Sequence, residues 1–170
     1  MRIENHRLDD YWFGLSPNHG GQLEAPEFLV MHYTAGWSAK GARDYLMNPE
    51  AQYRPSAHLV AGRDGQLWQI VPFDRKAWHA GRSFYKGVSG LNHHSIGIEC
   101  DNIGWLIRND NGSYTDPYGQ RLMVEDGWVV GPFGPYCREK DLLFATHPNG
   151  GSRVYAWPPY SEAQLAIVEA

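Results

Sequence analysis

Several things are scarce or missing in this sequence. It has two cysteines, Cys100 and Cys137, too few for a disulfide framework. No apolar run approaches the roughly 18 residues that a membrane span needs, so no membrane partner is expected. The N-terminal stretch MRIENHRLDDYW contains no apolar core of the kind a signal peptide carries. Charge is nearly balanced, 15 Lys+Arg against 19 Asp+Glu for a net −4, which leaves no basic field to attract nucleic acid. Neither HExxH nor CxxC occurs, so no complete zinc signature is present. Internal repeats and low-complexity segments are absent too. A reducing cytoplasm is the simplest compartment consistent with these features.

What is present fits one domain. The chain has 170 residues, 42% of them hydrophobic, enough for a sizeable core. Seven Trp and ten Tyr are many; they either fill that core or present faces on which sugar rings stack. Residues 1–27 are polar and punctuated by Gly and Pro, and read as a wrapping arm. Phe28–Met31 is apolar at every position and predicts a strand buried on both faces. Ser38 is a candidate N-cap for a helix carrying Ala39, Ala42, Tyr45 and Leu46, stopped by Pro49. The segment AHLVAGRDGQLWQIV predicts a hairpin turning at Asp64-Gly65. SIGIEC, residues 95–100, is a second short apolar strand. Residues 101–159, rich in Gly, Asn, Asp and Pro, predict mostly loop with short strands. SEAQ at 161–164 is a capping box, in which Ser161 and Gln164 each reach the other's backbone N–H. The apolar pattern it starts runs to Ala170 without a stop signal, so the expectation is a domain incomplete at its C-terminus.

Two strands end on polar groups. The first runs into His32, which either reaches water or serves as a rigidly held metal ligand. The second ends at Glu99, a strand-terminal carboxyl that is either solvated or, if partly buried, raised in pKa and able to act as a general base. Together they supply what a metal-bound water needs, one ligand and one base. Of the other histidines, His6 and His19 lie in the arm and His58 sits inside the hairpin as a core residue. His93 and His94 point to opposite faces if extended. Trp78–Gly81, WHAG, offers a stacking face and a glycine. Cys100 is a candidate nucleophile only in the weakest reading, because it alternates with Glu99 to the other face of the strand.

In order along the chain stand MHYTAG, SAHLVAGRDGQLWQIVP, AWHAG, LNHHSIGIE and YSEAQL. This succession resembles the type 2 N-acetylmuramoyl-L-alanine amidases, zinc hydrolases of peptidoglycan. The family includes phage lysis amidases, the cytosolic amidase of cell-wall recycling and animal peptidoglycan-recognition proteins. The resemblance covers about residues 28–100 and the helix start near 160–165. It implies a single α/β domain, residues 28–170 behind the arm 1–27, with a central mixed sheet flanked by helices. It implies cleavage of the amide between the lactyl group of N-acetylmuramic acid and L-alanine, with zinc as cofactor. The zinc would polarise the lactyl carbonyl and lower the pKa of its bound water.

By the same resemblance His32 is the first zinc ligand and Glu99 the catalytic acid/base. Trp78, His79, Ala80, Gly81 and Asn92 line the cleft, and His58 is framework. Some relatives have a tyrosine where this chain has Ala57, which leaves the acid/base burden on Glu99. The implied partners are peptidoglycan fragments or muropeptides, bound by a monomer, in the cytoplasm or after release from a lysing cell if the origin is phage. The family's second histidine and its third ligand, Asp or Cys, follow the helix begun at YSEAQL and are expected after residue 170; His79 and His147 are weaker substitutes. The alternative is a non-catalytic recognition module that keeps the cleft and has lost the metal.

Overall fold

The computed structural model describes all 170 residues. Its centre is a five-stranded mixed sheet in the spatial order Trp12–Phe13, Leu67–Gln69, Leu59–Ala61, Ser95–Cys100, Phe28–Tyr33. The Ser95–Cys100 strand lies between two parallel neighbours, and the 59–61 and 67–69 strands form the antiparallel hairpin around Asp64-Gly65. Gly65 has φ +82°, the conformation that the tight turn requires of it.

One helix covers each face. Helix α1, Ala39–Leu46, starts at Ser38, whose hydroxyl accepts from the Gly41 N–H at 3.2 Å. Its Ala39 and Leu46 pack on Ala57, Val60 and Ile70. Helix α2, Glu162–Glu169, lays Ile167 and Val168 on the other face, against Leu59, Ala61, Ile98 and Cys100. Its cap is only half the predicted box. Ser161 accepts from the Gln164 N–H, but the Gln164 side chain turns inward and donates to the Ala61 and Asp101 carbonyls at 2.9 and 3.2 Å. Satisfying two buried backbone oxygens outweighs a solvent-side cap bond. No helix is long and apolar enough to cross a membrane.

One expectation needs correction. The Phe28–Tyr33 strand is not buried on both faces: it is the sheet's edge, and Leu29, Met31 and Tyr33 are 57, 53 and 42% exposed. Helix α2 covers the neighbouring strands and stops short of this one. Residues 101–159 bear out short strands joined by loops and turns, and those strands assemble further than the sequence indicated. They form an antiparallel five-stranded meander from Ile107 to Arg138 and a second pair, Leu143–Thr146 with Val154–Trp157. Ile103, Leu106, Tyr114, Leu122, Val129, Cys137, Leu142 and Ala156 give this region a core of its own.

The arm is stitched into the domain. Trp12–Phe13 adds the far edge strand, and the Asn18 amide donates to the Leu46, Asn48 and Pro55 carbonyls at the end of α1. Both cysteines are free and buried.

Candidate active site

His32 and Glu99 are direct partners in the parallel pair, Glu99 opposite His32 and Gly97 opposite Val30. Because side chains alternate along a strand, Ser95, Gly97 and Glu99 share a face with Phe28, Val30 and His32, the face on which α1 lies. Adjacent strands put the two Cα atoms about 5 Å apart, so two polar ends predicted separately sit side by side. Beyond them Thr34 ties the strand ends together: its N–H donates to the Cys100 carbonyl, and its hydroxyl accepts from the Asn102 N–H.

Glu99 is half-buried, and burial alone pushes its carboxyl from 4.5 up to about 7. Burial also lowers the His32 pKa. A carboxyl near pH 7 is suited to take a proton from water and give it back. Cys100, on the opposite face, is raised to about 11, chiefly by burial and also by the Glu99 charge, which removes it as a nucleophile at neutral pH.

The structure brings His79 to His32, a contact the sequence did not reveal. The two rings meet at 3.0 Å, His32 Nε2 to His79 Nδ1. The loop Trp78–Gly81 that carries His79 is held by Asn92, whose side-chain oxygen accepts from the His79 and Ala80 N–H groups at 3.0 and 2.8 Å. Asn92 therefore shapes the loop that carries His79, with that oxygen already engaged. The Trp78 ring lies against Gly20 of the arm, where a Cβ would come within 2.7 Å of it. Gly81 is exposed, with φ +52°.

Beneath the His79 ring is Gly97, where a Cβ would sit 2.4 Å from His79 Cγ. Gly97→Ala is expected to displace the ring from His32 and destabilise the fold by about 1–3 kcal/mol. Urea unfolding together with the loss of the His32–His79 contact in a crystal structure checks this, and an unshifted ring would refute it.

His58 is framework, as expected: fully buried, with Nε2 against the Arg75 carbonyl at 2.8 Å and Nδ1 accepting from the Gly97 N–H at 3.0 Å. His147 stacks on Trp157 in the 143–157 region, with ring centroids 5.8 Å apart. A cavity of about 660 Å³ lies away from His32 and Glu99, lined by Leu29, Leu59, Phe73 and Ile96 among others.

One His32 ring nitrogen faces His79, and the other makes no hydrogen bond within the protein. The chain does not complete a zinc site around His32. No three His, Cys, Asp or Glu side chains are placed so that they could hold a metal ion together, and a catalytic zinc is held by three.

The N-acetylmuramoyl-L-alanine amidase family model matches residues 22–169. The 1,6-anhydro-N-acetylmuramyl-L-alanine amidase AmpD of Enterobacter cloacae is 31% identical over 150 residues, covering 78% of this chain and 77% of that protein. AmpD of Citrobacter freundii is 46% identical over 72 residues, 42% of this chain and 35% of that protein, so the matched part spans about a third of its length. A solved complex of the N-acetylmuramyl-L-alanine amidase AmiD from E. coli with anhydro-N-acetylmuramic acid-L-Ala-D-gamma-Glu-L-Lys superposes with TM-score 0.49. It is 21% identical and covers 98% of this chain and 45% of that one.

Proposed function

Since the chain belongs to the N-acetylmuramoyl-L-alanine amidase family, we propose that it hydrolyses the amide between the lactyl group of N-acetylmuramic acid and L-alanine in muropeptides. The observation that carries this reading is the in-register pair His32 and Glu99, with the carboxyl raised to about 7. Glu99 takes a proton from the water that attacks the lactyl carbonyl carbon. It then passes that proton to the alanine nitrogen as the C–N bond breaks, so the leaving group departs as a neutral amine. The loop Trp78–Gly81 forms one wall of the cleft. The test is incubation with an N-acetylmuramoyl peptide beginning in L-alanine, with mass spectrometry of the products. Release of the free peptide supports the reading; an intact substrate at high enzyme concentration overturns it.

The alternative is a module that binds muropeptides without cutting them. That reading predicts heat of binding in a calorimeter with no peptide released.

Zinc at His32 is part of the proposal on family grounds, and no step above runs through it. The 170-residue chain is expected to retain well under one zinc per molecule after gel filtration, and His32→Ala to remove what remains. Metal analysis of both proteins reads this. Stoichiometric zinc would show that a further residue joins His32 in holding the ion.

A further inference from the structure

The hydrogen bonds behind His32 have a direction that the chemistry of their last acceptor fixes. The Ser95 hydroxyl lies 2.6 Å from the Leu91 carbonyl oxygen, at the start of the one-turn 3-10 helix Leu91–His93. A carbonyl only accepts, so the single hydroxyl proton of Ser95 points to it. Ser95 Oγ also lies 3.3 Å from His79 Nε2, and with its own proton committed it can only accept there. His79 therefore carries its proton on Nε2, and its Nδ1 is bare. That bare nitrogen faces His32 Nε2 at 3.0 Å and accepts from it. His32 is left with its proton on Nε2 and its lone pair on Nδ1, which makes no hydrogen bond within the protein.

The surroundings make this arrangement rigid. Ser95 is fully buried in an interior strand of the sheet, next to the edge strand that carries His32. The His79 ring rests on Gly97, two residues along the same face, and its backbone N–H is held by Asn92. The Ser95–Cys100 strand thus contributes three neighbouring same-face positions with separate tasks: a hydroxyl at 95, a bare backbone at 97 that seats the His79 ring, and a carboxyl at 99.

We propose that Ser95, acting through His79, is a positioning residue that fixes the tautomer and orientation of His32, so that Nδ1 is the nitrogen offered to the reaction centre. The proposal rests on the reading that His32 belongs to that centre. Without the Ser95 acceptor the His79 ring has no reason to keep its proton on Nε2; either nitrogen of His79 can then be bare, and His32 loses its fixed partner.

Nitrogen-15 NMR of the histidine rings in the full chain at pH 8 tests this directly. In the unmodified protein His32 and His79 are both expected as Nε2–H tautomers. In Ser95→Ala both should become mixtures, while Ser95→Thr, which keeps the hydroxyl, should restore them. On the muropeptide substrate Ser95→Ala should lower kcat by roughly 10-fold with KM little changed, and Ser95→Thr should recover most of the loss. An Nδ1–H His32 in the unmodified protein, or unchanged tautomers in a folded Ser95→Ala variant, would overturn the proposal. If no variant cleaves the amide, the proposed function fails while the NMR still decides the tautomer.

Discussion

Replacing Glu99 by glutamine is expected to cut amide turnover by roughly 10²-fold or more and, above pH 7, to stabilise the protein by as much as about 3 kcal/mol. Both effects come from one carboxyl. Glutamine keeps the size and shape of glutamate but cannot carry a proton from water to the leaving amine. The stability effect follows from the raised pKa, about 7 in the folded chain against an ordinary 4.5. Below pH 4.5 the carboxyl is neutral in both the folded and unfolded states and contributes nothing. Between 4.5 and 7 the unfolded chain releases its proton while the folded one keeps it, so stability falls as pH rises. Above 7 the whole cost of ionising a half-buried carboxyl is present. The gain from Glu99→Gln should therefore be near zero at pH 4 and full at pH 8. For the same reason the kcat/KM of the unmodified chain should decline below about pH 7, as the base becomes protonated. Urea unfolding at the two pH values, alongside a kcat/KM profile, measures all of this. Equal stability of variant and parent at pH 8 would mean that Glu99 is not the buried, unpartnered acid described above.

His58→Leu is expected to be the most damaging single change in the framework, costing about 3–5 kcal/mol at pH 7.5. The leucine leaves the Arg75 carbonyl and the Gly97 N–H without partners in a fully buried place, at about 1–3 kcal/mol for each orphaned group, and loses packing against Phe73 as well. The sign of the pH dependence is opposite to that of Glu99. Burial holds His58 down at about 4 against an ordinary 6.5, and His79 likewise, chiefly by burial and then by the nearby His32 and His58. Both stay neutral in the folded state while their unfolded counterparts take up protons below 6.5. They favour the fold fully above 6.5, and this contribution is lost as pH falls toward 4. Protonating His58 at Nδ1 would also set a proton against the Gly97 N–H. Chemical denaturation from pH 8 to 4 should show a steep acid loss in the parent and a shallower one in His58→Leu. Parallel curves would refute the assignment.

These outcomes bear on how much could be read from the chain directly. The strands at 28–33 and 95–100, the helix behind Ser38 and the turn at Asp64-Gly65 were legible because each is local: an apolar run, a cap, a positive-φ glycine. The adjacency of His32 and Glu99 followed once both strands were placed in one sheet. The exposure of Leu29, Met31 and Tyr33 was not legible, since an apolar run looks alike at an edge and at the centre. The meander at 107–138 left a signal that went unread. Gly112, Gly119, Gly127 and Gly134 recur at intervals of seven or eight residues, all with positive φ, at its turns, and Asn111-Gly112 and Asp126-Gly127 are strong hairpin pairs. The His32–His79 contact lay out of reach because it depends on how Asn92 and Gly97 shape a loop 47 residues away from His32.

The pairing of Phe28–Tyr33 with nothing but Ser95–Cys100 also dictates an order of events during synthesis. When residues 28–33 leave the ribosome, their only strand partner has not been translated, and the hairpin at 59–69 that follows does not touch them in the sheet. They must wait, with their backbone groups unpaired, until residue 100 is available. The meander after it closes through neighbours in sequence and needs no such delay. The slow step of folding therefore belongs to the half of the chain that carries the chemistry, and the nascent chain is most exposed to wrong associations before the strand bearing Glu99 arrives.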